Sequence, residues 1–385
     1  MDISGATKVL QWNNRLLRFL GLWPFDLNNV KFMFFFTYVT VQCFLQYAGL
    51  LEYISDLNYV VANLTETIVF SMIVFKMAIY RINTRPLLHL IQNIQEDYSN
   101  ELYKTRKEIR IFLKYNSLSK TIVQCISIVC GATAVLFYIR PLTGHALADN
   151  DSTGNSSSAF LMPYHIRLFF NLTEARTYYI VYACEIFMIP LVTCGYAGPS
   201  CLLITLVLHI CGQVSILTCQ VENLIKNPET IHHQLKQIVL KHRRLINLCM
   251  NLNSTYATFL LQELIGITLL LCLGGYNIIA TPILDETGHF LAFLLYTVTV
   301  IFQLLGFCYI GECLRNESKS LCDAFYNYEW YDEPRVNVKL FLMCVTRSQR
   351  PLVLTAGEFF IFSLENFTSV MKTSMAYLSV LRKFI

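Results

Sequence analysis

The sequence predicts an all-α membrane protein of seven transmembrane helices in an inverted arrangement, N-terminus inside and C-terminus outside. Three observations predict it. Hydrophobic residues make up 55% of the 385 residues and charged ones only 15%, whereas soluble domains carry about a quarter charged residues. Apolar stretches long enough to cross a bilayer, roughly 20 residues as helix, recur along the chain. The basic residues cluster on alternate connections, the pattern that holds Lys and Arg on the inner side. A net charge of +4, small and scattered, gives no reason to expect nucleic acid.

Residues 1–31 lack the compact apolar core and small-residue cleavage site of a signal peptide. Val9, Leu10, Leu16, Leu17 and Leu20 stand against Asn13, Asn14 and Arg18, which predicts an amphipathic cytoplasmic segment on the inner membrane surface. Spans are expected at 32–51, 59–80, 119–139, 177–210, 255–282, 289–312 and 359–381. The fourth needs argument. From Tyr178 to Cys219 the one ionised side chain is Glu185, and that stretch is too long for one crossing. Either two helices break at Gly195-Tyr196-Ala197-Gly198-Pro199, or one long helix kinks near Pro190 and Pro199 and leaves the membrane at its inner end. With a single crossing, the inner segments hold 22 Lys and Arg (up to Lys31, Arg81–Lys114, Lys226–Arg244 and Arg315–Arg350). The outer ones hold 5: Arg140, Arg167, Arg176, Arg382 and Lys383. Two crossings would put the Lys226–Arg244 cluster outside, so the charge pattern predicts one.

The loop between Arg140 and Arg176 gives a second signal. Its polar run Asp149–Ser158 holds acceptor sequons at Asn150 and Asn155, and a third begins at Asn171. Such sites are glycosylated only on the lumenal side, so residues 140–176 are expected outside. Isolated sequons at Asn253, Asn316 and Asn366 are read as chance. This orientation excludes a G-protein-coupled receptor, whose N-terminus lies outside, and the chain has neither an Asp-Arg-Tyr-like triplet after span three nor Asn-Pro-x-x-Tyr in span seven.

Fourteen cysteines fall in spans or inner segments and none in the outer loop, which predicts free thiols. His232, His233 and His242 lie in a basic segment without cysteine at ligand spacing, so they read as solvated surface histidines with no metal bound. The chain carries no nucleophile elbow, phosphate loop or paired carboxylates, so no enzyme and no cofactor is predicted. Gly274-Gly275 reads as a close helix contact. Glu66 and Glu185 stand in outer half-helices, where an acid is a functional candidate; pairing with Arg176 or snorkelling to the interface are the competing accounts.

The last 35 residues run from Pro351 through Gly357, Ser363, Glu365, Phe367, Val370, Lys372, Ser374 and Tyr377 to Leu381-Arg-Lys-Phe-Ile385. This segment closely resembles the terminal helix of insect odorant receptors. So do the opening Trp12-Asn-Asn-Arg15-Leu-Leu-Arg-Phe-Leu-Gly21-Leu-Trp-Pro24 and the stretch His209-Ile-Cys-Gly212-Gln-Val-Ser-Ile-Leu217. The related gustatory receptors end in Thr-Tyr, five apolar residues and Gln-Phe; here Ala376 and Lys383 replace the Thr and Gln, and Arg382 interrupts the apolar run. The odorant co-receptor has a long insertion between spans four and five, where this chain has only residues 211–254. A ligand-tuned subunit is the better match.

The resemblance implies chemoreceptor ion-channel architecture: a ligand-gated, non-selective cation channel of four subunits around one pore, some of them supplied by the co-receptor. The partners implied are that co-receptor, a small volatile hydrophobic ligand, permeant cations and membrane lipid, in the plasma membrane of sensory neurons. It divides the chain into a six-helix bundle at 32–312 with an outward-facing ligand pocket, a cytoplasmic extension at 211–254, an inter-subunit anchor at 313–358 and a pore-lining helix at 359–385. Thr373, Tyr377, Val380 and Phe384 share one face of that last helix, and rings of Val380 and Phe384 are expected to gate by dewetting. Glu358, Glu365 and Lys372 form a polar stripe beside it. The pocket is expected among Asn63, Thr67 and Phe70 of span two, Ala132, Leu136 and Phe137 of span three, Tyr178, Tyr182, Glu185, Ile186 and Ile189 of span four, and Phe293, Tyr296 and Thr297 of span six. Such a lining holds a ligand mainly by desolvation and shape. Tyr326, Tyr328, Trp330 and Tyr331 suit either a subunit interface or an aromatic belt. The alternatives are a secondary transporter using a broken fourth helix and a gustatory-type channel.

Overall fold

The computed structural model describes residues 7–99, 102–103, 105–148, 162–169, 175–224, 231–280, 287–357 and 359–381. In order these form α1 (Thr7–Phe19), α2 (Asn29–Glu52), α3 (Leu57–Ile82), α4 (Thr84–Gln95), α5 (Arg106–Ala148), α6 (Ala175–Cys184), α7 (Met188–Val192), α8 (Gly198–Glu222), α9 (Ile231–Ala280) and α10 (Thr287–Asn327). Then follow α11 (Arg335–Ser348), strands β1 (Thr355–Ala356) and β2 (Phe360–Ile361), and α12 (Leu364–Leu381). Among the described residues, α2, α3, α5, the run 176–222, α9 and α10 are long and apolar enough to cross a membrane. With α12 they make the seven helices of a multi-pass membrane protein. At 1.5 Å per residue, the 50 residues of α9 reach about 75 Å. That is well beyond a hydrocarbon core of roughly 30 Å. The excess projects at the end of the bundle shared with α4 and α11, here called the basic end; the opposite end carries residues 162–169.

Residues 175–222 form one continuous helical path, bent by its prolines. Pro190 has no N–H to give to the carbonyl four residues back, and a single 3₁₀ turn, Glu185–Phe187, precedes it. Pro199 stands in the first turn of α8, and a π turn, Thr193–Ala197, widens the backbone just ahead of its ring. α8 is buried nearly all round, packed by α5, α9, α10 and α1. α2, about equally apolar to the eye, turns Val30, Met33, Phe34, Val41, Phe44 and Leu51 outward. The amphipathic stripe of α1 is covered by protein, with Leu17 and Leu20 fully buried. Asn13 donates to Thr205 Oγ1 at 2.7 Å and Trp12 Nε1 to Ser127 Oγ at 3.3 Å. Gly21, at φ +71°, closes α1, and Leu22 N reaches back to Leu17 O at 2.9 Å. A Cβ there would also meet Asn28 O, so glycine is required twice over.

At the basic end, Arg244 of α9 donates to Asp97 Oδ1 and to Asn93 O, each at 2.6 Å, and His209 Nε2 lies 3.1 Å from Asp97 Oδ2. Burial opposes ionisation of Asp97, but His209 and Arg244 outweigh it and hold the carboxyl below its usual range. His242 corrects the expectation of a solvated histidine. It is only 7% exposed, packed on Phe325, because its face of α9 turns inward while Lys241, Arg243 and Arg244 around it stay exposed. Burial, with Arg347 nearby, depresses it from 6.5 to about 4. Between those values the unfolded chain binds a proton that the folded chain does not, so stability falls as pH drops through that window. The loss is about 3 kcal/mol in full. Thermal midpoints of the detergent-solubilised protein between pH 7 and pH 4 should therefore fall more steeply for the native chain than for His242→Gln. Parallel profiles would remove the assignment.

The last helix begins five residues later than hydropathy predicts. β1 pairs antiparallel with β2, Thr355 opposite Ile361, around Gly357 at φ +57°. Asn253 of α9 clamps this hairpin, donating to Val353 O at 2.8 Å and accepting from Thr355 N at 3.2 Å. α10 approaches so closely at Gly311 that a Cβ would collide with the Phe362 carbonyl oxygen. Ser363 Oγ then accepts Asn366 N at 3.2 Å and starts α12. Gly274 lies against Thr297 of α10 and Gly275 against Leu378 of α12, so these glycines do allow close helix approach.

Candidate functional site

A cavity enclosing about 570 Å³ between its lining atoms, mouth included, opens among α3, α5, α7, the π turn and α10. Helical periodicity builds its walls. α3 supplies Glu66, Val69 and Phe70; α5 supplies Cys130, Thr133, Ala134 and Phe137; α10 supplies Tyr296, Thr299 and Val300. Each set falls three and four residues from its first member, with Phe137 a further turn on in α5, so each is one helix face. Val192 and Tyr196 come from the bent fourth span, and Tyr164 from the segment 162–169. Edge-to-face aromatic contacts set the shape: Phe70 with Tyr164 at 5.2 Å, and Phe137 with Phe293 at 5.6 Å and Tyr296 at 5.8 Å.

Residues 162–169 form a strap across α3. Glu66, 4% exposed, accepts His165 N at 2.9 Å on one oxygen and faces His165 Nδ1 at 3.0 Å and Arg140 Nη1 at 3.5 Å on the other. Arg140 also donates to Pro163 O at 3.3 Å. Asn63 donates to His165 O at 2.9 Å, and Arg167 pairs with Glu52 at 3.0 Å. Arg140 and His165, not Arg176, are therefore the partners of Glu66. The partner of Glu185 is Gln42 Nε2, at 3.4 Å.

At the opposite side of Tyr196 lies a charged group in the centre of the bundle. Lys76 of α3 and Glu263 of α9, both side chains fully buried, form an ion pair. Lys76 Nζ also donates to Tyr196 O at 3.0 Å and sits 3.7 Å over the Tyr196 ring. Gln303 donates to Glu263 at 3.2 Å and Ser200 lies 3.5 Å from it. The bent fourth span thus offers a backbone carbonyl to the ammonium.

Of the expected pocket residues, Phe70, Phe137 and Tyr296 line the cavity, and Phe293 is buried behind Phe137. Asn63 and Thr67 are buried but bonded to each other, Thr67 Oγ1 donating to Asn63 Oδ1 at 2.8 Å. Tyr178 and Tyr182 pack with each other, and Tyr182 with Tyr138, beside the cavity rather than in it. Thr297 faces Gly274. Ala132 and Ile186 are exposed, and Leu136 and Ile189 half-buried, none of them in the lining. The reason is rotational: successive helical residues turn about 100°, so with 133, 134 and 137 facing in, 132 and 136 face away. Extending the three lining residues Phe70, Phe137 and Tyr296 by three or four positions reaches Glu66, Thr133 and Thr299. Tyr164 and Tyr196 carry no such signal, and Lys76 and Glu263 were legible only as charges inside spans. On α12, Thr373, Tyr377 and Val380 are exposed, while Val370 and Ser374 pack inward; Glu365 and Lys372 are exposed as well. Phe384, Glu358, Asn150, Asn155 and Asn171 lie outside the described residues.

Comparison with known proteins agrees with this architecture. A family model described as 7tm Odorant receptor matches residues 56–375. Odorant receptor 13a of Drosophila melanogaster is 23% identical over 367 residues, covering 88% of this chain and 83% of that protein. Odorant receptor 82a of the same organism is 21% identical, covering 85% of each. Among solved structures, the olfactory receptor OR5 of Machilis hrabei in complex with eugenol superposes with a TM-score of 0.83 at 18% identity, covering 99% of this chain and 100% of that one. OR5 without eugenol gives 0.81. The fold is thus shared from end to end, and the chain belongs to the 7tm odorant receptor family.

Proposed function

We propose that the chain is the ligand-tuned subunit of a ligand-gated, non-selective cation channel, assembled with a co-receptor in the plasma membrane of sensory neurons. The cavity carries this reading. Its walls are apolar and aromatic, and it is closed on one side by a strap. The structural likeness to a receptor solved in complex with eugenol supports a small organic ligand. The basic residues at the α4 and α11 end support placing that end in the cytoplasm, which turns the strap and the cavity mouth outward and leaves α12 to exit outside. In a lone subunit α12 presents Thr373, Tyr377 and Val380 unpacked, which suits a face turned to a central pore.

The test is co-expression with the odorant co-receptor in a cell lacking both, with surface delivery verified, during application of a broad volatile panel. Volatile-evoked cation current is expected. A delivered complex that stays silent across the panel would overturn the proposal. Current from this chain that depends on an ion gradient and saturates as transport would favour the transporter.

A further inference from the structure

We propose that a groove between α5 and α10 is a lateral portal, through which apolar ligands pass from the bilayer into the cavity. The proposal rests on the receptor reading above. The groove encloses about 1190 Å³, its open side included, and lies along the same two helices as the cavity, towards the basic end. Cys125, Ile126 and Val129 of α5 and Thr299, Phe302 and Gly306 of α10 build its walls. Cys125 is exposed and Phe302 is 57% exposed, so within the spans this side faces lipid. Gly306 keeps the groove open: among the described residues, a Cβ there would meet only Ile126 Cδ1, at 3.8 Å.

Continuity with the cavity identifies the occupant. Along α5 the groove ends at Val129 and the cavity begins at Cys130, while on α10 Thr299 borders both. The boundary is held by Thr299 Oγ1 and Thr133 Oγ1, bonded at 2.8 Å. A single bond between neutral hydroxyls adds little net stability. When it breaks, each hydroxyl keeps a carbonyl of its own helix, Val129 O at 2.9 Å and Leu295 O at 2.8 Å, so opening strands no polar group. Other polar side chains of the groove are engaged elsewhere: Thr121 donates to Ser117 O at 3.1 Å and Gln303 to Glu263 at 3.2 Å, and the Tyr309 hydroxyl bonds Cys313. At its other end the cavity is bordered by the strap and by the charges of Glu66 and Arg140. An apolar volatile leaves water for the bilayer, and the groove's lining, which holds no charged residue, leads it inward.

The experiment records currents from the full chain with its co-receptor, applying straight-chain methyl ketones and acetate esters together with the active members of the volatile panel. Gly306→Leu and Cys125→Phe fill the groove at positions outside the cavity lining. Each should slow both the rise and the washout of current several-fold at an unchanged half-maximal concentration, because an entry path scales both rates and leaves the binding equilibrium alone. The slowing should grow with chain length in each series, since longer members reside more fully in the bilayer. Phe302→Ala widens the groove and should quicken both rates. Cys125 faces lipid, so its variant decides the matter even where Gly306→Leu does not fold. Native rates in a delivered Cys125→Phe channel overturn the portal. So does a shifted half-maximal concentration at native rates, which makes the groove a resident lipid or ligand site. Loss of assembly with the co-receptor in Cys125→Phe makes it a subunit contact and overturns the portal too; the receptor reading stands in all three cases. Silence of the native channel to every volatile overturns the receptor reading, and the portal with it.

Discussion

Lys76→Met destabilises the folded subunit by about 3–5 kcal/mol, because it leaves the Glu263 carboxylate buried with no countercharge. Both side chains are at 0% exposure, and the remaining bonds to Glu263 come from the neutral groups Ser200 and Gln303. Neutral donors do not replace an ammonium where the surroundings are apolar. Glu263→Leu has the mirror effect, since Lys76 keeps only the Tyr196 carbonyl and ring. The double variant Lys76→Met with Glu263→Leu removes both charges and recovers most of the loss, as apolar replacement of a whole buried pair generally does. Thermal midpoints of the purified assembly for the native chain, both singles and the double complete the cycle. A double variant as unstable as the sum of the singles would show that the two charges act independently, and a native midpoint for Lys76→Met would show that the pair is not closed.

Val380→Glu is expected to produce standing cation current without ligand, several times that of the native channel. Val380 is 56% exposed and shares the open face of α12 with Thr373 and Tyr377. In the proposed assembly that face meets its counterparts around the pore. An apolar ring there excludes hydrated ions by dewetting, and a carboxylate wets it. Whole-cell recording before any volatile is applied reads the leak directly. A second variant, Phe384→Glu, tests the other residue expected at the gate. Native closure and native ligand response in the combined variant would move the gate elsewhere.

Much of the bundle was legible because the bilayer imposes it. A span must be long, apolar and helical, and basic residues must be kept on one side. For that reason the charge cluster Lys226–Arg244 was enough to choose a single crossing for the fourth span, and the structure carries it as one helical run from 175 to 222. The start of α12 was not legible. Phe359 to Ser363 are as apolar as a helix interior, but Asn253 and the close approach at Gly311 fold them into a hairpin edge. Those partners lie far off in sequence. His242 was misjudged for a like reason: basic neighbours said surface, whereas Phe325 of another helix covers it.

The cavity lay between these extremes. Phe70, Phe137 and Tyr296 were picked by depth and residue type, but depth along a helix does not give rotation about it, so Ala132 and Leu136 were picked with them. What the sequence by itself determined is therefore the number of crossings, the charge segregation and the family. Which face of each helix meets a neighbour was decided only by the tertiary structure. In a soluble protein the polar face marks the outside. Here lipid and protein interior are equally apolar, so lipid-facing α2 and the central α8 read alike. Only packing separated them, and only packing brought Lys76 to Glu263 and turned Tyr196 to the cavity wall.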